Sequence, residues 1–226
     1  MKKLKEFKVF DYHFIYLFLM VIFGGIIGFI IECFATGISK GYIDSRFQRL
    51  PCILGYGLMV LALYLLFGTP NKMRILKKEI FTNKKSLPIK HFLYFLIVTT
   101  FIFLCEWGAG ELFELLTGVG LWDYSNIPLH IGQYVCLPFT FGFGAGAYVF
   151  MAFIFSPIMS LLENKMPMNI ALIIFFLIGT PVVIDFITTT AIICSGRVPR
   201  IIWRINFPWM KEKETFLLKT LVLTNI

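Results

Sequence analysis

The sequence predicts an all-α polytopic integral membrane protein with about five transmembrane helices. Its 226 residues are 58% hydrophobic and have a mean hydropathy of +0.81, whereas soluble domains average about 45–50% apolar residues. The chain also contains apolar stretches close to the length of about 20 residues that a helix needs to cross a bilayer. These stretches are Phe14–Ala35, Cys52–Gly68, His91–Gly118, Tyr134–Leu162 and Asn169–Cys194.

The second and fifth stretches are less regular than the others. The second is short and contains Gly55 and Gly57, and the fifth is interrupted by Gly179-Thr180-Pro181. Broken helices at membrane depth occur where they are buried in protein or line a wet cavity. Either stretch is therefore a candidate re-entrant segment.

Basic residues set the expected orientation. Residues 1–13 carry four Lys, the loop at 69–90 carries seven basic residues, and the loop at 119–133 carries no Lys or Arg. Because basic loops stay cytoplasmic, the N-terminus is expected in the cytoplasm. Five spans then place residues 195–226 outside, although this tail carries six basic residues. Either the tail lies on the outer surface as an amphipathic segment, or one stretch is re-entrant.

The chain accordingly divides into three parts. We expect a basic cytoplasmic tail at 1–13, a transmembrane helical domain at 14–194 in the plasma membrane, and a basic, aromatic interfacial tail at 195–226. This organisation leaves no room for a soluble catalytic domain.

The charge and the cysteines exclude several classes of partner. The net charge of +8 does not indicate nucleic-acid binding, because the basic residues lie in tails and loops, where they contact lipid headgroups. The five cysteines show no zinc-type spacing. We expect membrane lipid as a partner, and no cofactor, metal or nucleic acid.

Carboxylates inside the apolar stretches are the strongest functional indication. An ionised carboxylate is costly in hydrocarbon, so intramembrane acids usually mark a pathway, a proton relay or a site. No Lys or Arg lies in the stretches that carry these acids. The acids are Glu32, Glu106, Glu111, Glu114 and Asp185.

Three of these acids are predicted to share one face of the third helix. At 100° per residue, Glu114 lies about 80° and Glu111 about 140° from Glu106, and the three span about 12 Å. Small residues at 108–110 form a notch where another helix can approach. We expect the acids to face a packed interface, with Glu32 of the first helix as their partner.

Clustered carboxylates without counter-cations cannot all ionise. Such a group can act as a general acid, hold a hard cation or pass protons. The structural alternative is that the acids only join helices by hydrogen bonds.

Asp123 and Asp185 each have a structural and a functional interpretation. Trp122-Asp123-Tyr124 is either an interfacial turn or a cover for the site. Asp185 binds backbone groups freed at Gly179-Thr180-Pro181, or belongs to the pathway.

The pattern of these residues resembles a known family, the putative ABC-transporter type IV permeases or CmpB-like membrane proteins. The resemblance rests on one list of residues: Glu32, Glu106, Glu114, Trp122-Asp123-Tyr124-Ser125, Asn126, Pro128 and the segment 132–137. It implies a permease-like or accessory membrane subunit. GxxxxGK[ST] does not occur in the sequence, so an ATPase would be a separate chain, docked on the loop at 69–90. The family often has an Arg, a counter-charge for the acids, where Pro138 stands.

A looser resemblance supports an alternative function. Glu106, Thr117-Gly118, Gly120, Trp122, Tyr124 and Pro138 are similar to residues of membrane-embedded carotenoid hydratases and cyclases. The alternative is thus a small membrane enzyme that protonates a lipid or polyprenyl substrate. Its acid would be Glu106 or Glu114, supported by Glu32 and Asp123. A third possibility is a structural membrane scaffold.

Overall fold

A computed structural model describes residues 6–80, 87–118, 120, 122–197 and 199–207. Its helices are α1 (Phe14–Lys40), α2 (Leu54–Phe67), α3 (Leu87–Thr117), α4 (Leu137–Lys165) and α5 (Met168–Cys194). Four of them are long and apolar enough to cross a membrane, and α2 is a shorter apolar helix of 14 residues. The predicted all-α polytopic fold is confirmed.

Short antiparallel strand pairs lie at the ends of the helices. The pairs in the described residues are β1–β2, β3–β8, β4–β5 and β6–β7. The strands are β1 (Lys8–Val9), β2 (Tyr12–His13), β3 (Tyr42–Asp44), β4 (Arg74–Ile75), β5 (Lys78–Glu79), β6 (His130–Ile131), β7 (Val135–Cys136) and β8 (Arg204–Asn206). Three pairs are local hairpins, and β3–β8 joins distant parts of the chain.

Successive helices run in opposite directions, so the bundle has two ends. At the proximal end, where α1 begins, the Tyr16 hydroxyl donates to the Met166 carbonyl oxygen at 2.7 Å. At the distal end, where α1 finishes, β3 pairs with β8. Residues 199–207 therefore lie at the opposite end from residues 6–13. Residues 208–226 of the tail lie outside the described residues.

Helix α2 is too short to cross a bilayer by itself, and the extended segment before it covers the remaining distance. Fourteen residues of α2 span about 21 Å, less than the hydrocarbon thickness of about 30 Å. The preceding segment, 41–53, folds into the bundle, where the Ile53 N–H donates to the Gly25 carbonyl oxygen at 3.0 Å. Gly25 lies about 16 Å along α1 from Phe14. The non-helical backbone is thus packed against protein, as membrane depth requires.

Prolines in α4 and α5 are accommodated without breaking either helix. A π-helical turn, Phe150–Phe155, precedes Pro157, and a second, Phe175–Gly179, precedes Pro181. Proline lacks an N–H and clashes with the preceding turn, and a wider turn relieves both problems. The interruption predicted in the fifth stretch is therefore wrong, because α5 remains continuous from Met168 to Cys194.

Helix α1 lies at the centre of the bundle. Its apolar window is 61% buried, compared with 22–28% for the windows of the other three long helices. The main core lies in the proximal half, around Leu17, Met20, Leu63 and Tyr94. Outer faces of α3, α4 and α5 keep large apolar side chains exposed, which suits contact with lipid.

Glycines bring α1 and α2 into backbone contact. A Cβ added at Gly57 would lie 1.8 Å from the Val21 carbonyl oxygen, and one at Gly24 would lie 3.1 Å from the Gly57 Cα. The interior of α2 therefore requires the smallest residue at position 57. Gly55, two residues earlier and about 160° away around α2, has nothing within 4 Å of its would-be Cβ.

The α1–α2 contact predicts a position-specific cost of an added methyl group. Gly57→Ala forces the two backbones apart, which should destabilise the fold by about 1–3 kcal/mol, as in other overpacked interiors. Gly55→Ala is the matched control and should be neutral or slightly stabilising. Thermal midpoints in detergent, followed by tryptophan fluorescence, measure both. Equal midpoints for the two variants would contradict the contact.

Candidate functional site

The first element of the site is a tyrosine packed on a glycine. A Cβ at Gly28 of α1 would lie 2.3 Å from the Tyr56 Cγ, so the Tyr56 ring covers the Gly28 backbone. One turn further along α1, Glu32 Oε1 accepts a hydrogen bond from the Tyr56 hydroxyl at 2.6 Å. The close α1–α2 contact thus directs Tyr56 to Glu32.

A cation reaches Glu32 from the segment 41–53. Arg46 Nη2 lies 3.1 Å from Glu32 Oε2. Arg46 and Phe47 both have left-handed backbone conformations, with φ of 50° and 64°, which are rare for residues other than glycine. This turn points Arg46 back at α1. The expectation that the acids lack a counter-cation is therefore wrong for Glu32, because a loop rather than a helix supplies the charge.

The tail joins the same end of the bundle through Asp44. This carboxylate is 3% exposed and lies 3.4 Å from Arg204 Nη2 of β8 and 3.9 Å from Arg46 Nη1. The Ser45 hydroxyl accepts a hydrogen bond from the Ile202 N–H at 3.0 Å. The tail is thus fixed to β3 by charge and by backbone pairing.

Asp185 of α5 binds the segment 41–53 rather than the turn at Gly179. Its Oδ2 accepts hydrogen bonds from the Arg49 and Leu50 N–H groups at 2.8 and 2.9 Å. Its Oδ1 lies 3.4 Å from Arg49 Nη1, and the same guanidinium donates to the Thr188 hydroxyl at 2.7 Å. The backbone groups that Asp185 satisfies therefore belong to another element.

Glu106 and the loop tyrosine form the other half of the site. Thr140 of α4 donates a hydrogen bond to Glu106 Oε2 at 2.8 Å. Burial, followed by the nearby carboxylates of Glu106 and Glu32, raises the pKa of Tyr124 to about 12. The Tyr124 ring stacks on Phe139, with centroids 5.4 Å apart. Tyr124 thus lies within electrostatic reach of both acids.

We call Glu32, Tyr56, Glu106, Tyr124 and Thr140 the distal acid cluster. It joins α1, α2, α3, α4 and the loop after α3. Within the described part of the chain, Glu32 is paired with a cation and Glu106 forms no ion pair. The cluster therefore contains one carboxylate with a cation partner and, within the described residues, one without. Its phenol and hydroxyl groups are hydrogen-bond donors.

The predicted face of three glutamates on α3 is divided in the structure. Glu111 is exposed and Glu114 is only partly buried. The notch at 108–110 is filled at Gly110 by the Tyr134 ring, since a Cβ there would lie 2.2 Å from the Tyr134 Cγ. A side chain from the chain leading into α4, not a helix, occupies this notch. The expectation that all three acids face one packed interface is therefore wrong for Glu111.

Glu114 lies beside Tyr134 instead of joining the cluster. Burial, followed by the nearby Glu114, raises the pKa of Tyr134 to about 12. The Tyr134 hydroxyl has no hydrogen-bond partner among the described groups. Glu114 therefore acts on Tyr134 through its charge.

The residues Trp122 and Asp123 organise the loop after α3. Trp122 Nε1 donates to the Tyr134 carbonyl oxygen at 2.9 Å. Asp123 is exposed, and hydrogen bonds from the Ser125 hydroxyl and N–H lower its pKa. In this structure Asp123 closes its own turn, and its hydrogen bonds do not reach the distal acid cluster.

Sequence reasoning missed the partners of the acids. Tyr56 and Thr140 are ordinary members of apolar stretches, and Arg46 and Arg49 lie in a loop with no periodicity. One indication was available: Gly28 and Glu32 are four residues apart and so share a face of α1, which leaves room for a large side chain beside the acid.

One known protein family matches most of this chain. The profile of the family described as "Putative ABC-transporter type IV" matches residues 17–190. The chain belongs to this family. The match spans the five helices almost completely, and it confirms the resemblance seen in the motif residues. No curated protein and no solved structure matches the chain.

The residues that match the putative ABC-transporter type IV family contain the whole distal acid cluster. Glu32, Tyr56, Glu106, Tyr124 and Thr140 all lie inside the matched residues. The family relationship therefore applies to the part of the chain that carries the site, and not to a peripheral segment.

The Asp185 contacts predict that one side chain holds the segment 41–53 in place. Asp185→Ala leaves the Arg49 and Leu50 N–H groups without their acceptor, at a cost of roughly 1–3 kcal/mol. Local opening should then speed tryptic cleavage after Arg46 and Arg49 about tenfold or more.

Timed proteolysis in detergent, read by mass spectrometry, measures the rate. The control is Ile187→Ala, which changes an exposed side chain on the same helix. Equal cleavage rates in the two variants would show that Asp185 does not anchor the segment.

Proposed function

We propose that this chain is a permease-like or accessory membrane subunit of a transporter whose ATPase is a separate protein. The observation that carries the proposal is the family match across residues 17–190. The sequence contains no GxxxxGK[ST] motif, so ATP hydrolysis of the P-loop type must come from a partner. The distal acid cluster is then the part of the transport pathway that this subunit contributes.

We also propose a plasma-membrane location with the N-terminus in the cytoplasm, and the charge distribution supports this orientation. Distal Arg46, Arg49 and Arg204 each pair with a carboxylate. Proximal Lys77 and Lys78 are exposed on the hairpin β4–β5. In the described chain, three distal Lys and Arg residues form no ion pair, namely Lys40, Arg197 and Arg200, compared with six proximal ones, namely Lys8, Arg74, Lys77, Lys78, Lys90 and Lys165. More unpaired positive charge therefore lies at the proximal end, which the positive-inside rule places in the cytoplasm.

The loop at 69–90 is the proposed docking site of the ATPase. In its described part, the tip of the β4–β5 hairpin exposes Ile75 and Leu76, which are 50% and 59% exposed. Lys77 and Lys78 follow directly. Exposed apolar side chains beside unpaired charges suit a protein partner. Lys84 and Lys85, also expected to contribute, lie outside the described residues.

Neutralising the loop lysines tests the docking site. Lys77→Gln, Lys78→Gln, Lys84→Gln and Lys85→Gln together should abolish co-purification of an ATPase from the native host in mild detergent, read by mass spectrometry. The matched control replaces Lys2, Lys3, Lys5 and Lys8, which removes the same number of charges from the N-terminal tail. Orientation of both variants is checked by labelling a single introduced cysteine from each side. Unchanged co-purification with correct orientation would contradict the docking proposal.

A second test addresses the role of Glu106 in the pathway. Glu106→Gln keeps an oxygen that can accept the Thr140 hydrogen bond but removes the charge. We expect a folded protein that still binds the ATPase, with ATP hydrolysis in proteoliposomes reduced about tenfold or more, as expected when a functional charge is lost. Glu111→Gln is the control, since Glu111 is exposed on the same helix.

Two outcomes would argue against this role. Loss of folding in Glu106→Gln would make the acid structural. A tightly held polyprenyl or lipid, with no ATPase bound to the unmodified protein, would favour the membrane enzyme instead.

A further inference from the structure

A polar cavity lies at the proximal end of the bundle, opposite the distal acid cluster. Its volume is about 320 Å³. The cavity is lined by the segment before α1, the segment after α2 and one face of α4. Its polar lining includes Lys72, Arg74, Thr69, Asn71, Ser156 and Ser160.

Arg74 is the unusual member of this lining. It is 6% exposed, and its guanidinium carbon lies 3.7 Å from the Phe10 ring centroid and 4.5 Å from that of Tyr64. One Nη donates to the Tyr64 carbonyl oxygen at 2.7 Å. Its Nε has no hydrogen-bond partner, and no carboxylate of the described residues forms an ion pair with it.

A buried cation without an anion is an incomplete arrangement. The two aromatic faces offset part of the desolvation cost, but an unpaired buried donor costs roughly 1–3 kcal/mol. Gly68, with φ +72°, packs against this side chain, since its would-be Cβ would lie 3.2 Å from Arg74 Cγ. Arg74 lines the cavity without a carboxylate partner among the described residues, so the cavity presents positive charge to whatever enters it.

Further donors surround this position. Lys72 lies at the mouth of the cavity, 65% exposed, with its Nζ 3.4 Å from Asp11 Oδ1. Ser156 and Ser160 are four residues apart on α4 and so share the face that lines the cavity. Two cations against one carboxylate leave the site with a net positive charge.

We propose that this cavity binds a phosphate group, with Arg74, Lys72 and the α4 serines as its donors. An arginine guanidinium beside a lysine and hydroxyl groups suits the several acceptor oxygens of phosphate. The cavity lies between Asp11, before the apolar run of α1, and Thr69, after that of α2. This is the depth of lipid headgroups, so an anionic phospholipid and free phosphate are the two sources of the group.

Ligand-dependent stability tests the site. The thermal midpoint of the full-length protein in uncharged detergent is titrated with phosphatidylglycerol, phosphatidylcholine or sodium phosphate, at constant ionic strength set with sodium chloride. Phosphatidylglycerol should raise the midpoint in a saturable manner, because a ligand that binds only the folded state stabilises it. Lys72→Gln should weaken the apparent affinity about tenfold. Lys165→Gln, which changes an exposed lysine of α4 outside the cavity, should leave the affinity unchanged.

The outcomes distinguish phospholipid from free phosphate as the ligand, and both from an absence of binding. A response to sodium phosphate equal to that to phosphatidylglycerol would identify free phosphate as the ligand. A response to neither probe would overturn the proposal. Equal losses in Lys72→Gln and Lys165→Gln would also overturn it, because they would indicate general attraction to anions. Since Arg74 is part of the core, Ser156→Ala serves as the second variant inside the cavity and should also weaken binding.

Discussion

The backbone contact between α1 and α2 at Gly57 determines the rest of the distal end. It brings α2 so close to α1 that Tyr56 covers Gly28 and its hydroxyl reaches Glu32. The same closeness lets the Ile53 N–H bond to an α1 carbonyl oxygen. A larger residue at 57 would move α2 outward and separate the segment 41–53 from α1. The acids of α1 and α5 would then lose the cations that this segment carries.

Charge pairing gives the two ends of the bundle different chemistry. At the distal end, arginines from a loop and from the tail meet carboxylates from α1, α5 and β3, so these three carboxylates are neutralised internally. Such pairs fix which elements meet, more than they add net stability. Glu106 departs from this pattern within the described residues. At the proximal end it is a cation that lacks an ion-pair partner among the described residues, since buried Arg74 is held by aromatic rings and a carbonyl oxygen.

Individual residues show how far sequence reasoning could reach. Glu32 and Glu106 were identified because an acid in an apolar stretch is conspicuous, and the structure brings both to Tyr124. Glu111 was misplaced because helical periodicity gives the direction of a side chain but not what lies opposite it. The partners Arg46 and Arg49 could not be found, since a loop has no period that relates its residues to distant helices. Whether the cluster forms a pathway remains a prediction.

The sequence by itself determined the fold class and the helices. Hydropathy is a local property, and a lipid-exposed apolar stretch satisfies its backbone groups within its own helix. Only the tertiary structure decided that β8 pairs with β3, that α5 stays continuous through Pro181, and that the segment 41–53 enters the bundle. These features depend on contacts between residues far apart in the chain. Such contacts are set by close packing, through a glycine at one position and a ring at another, and packing distances leave no periodic trace in a single sequence.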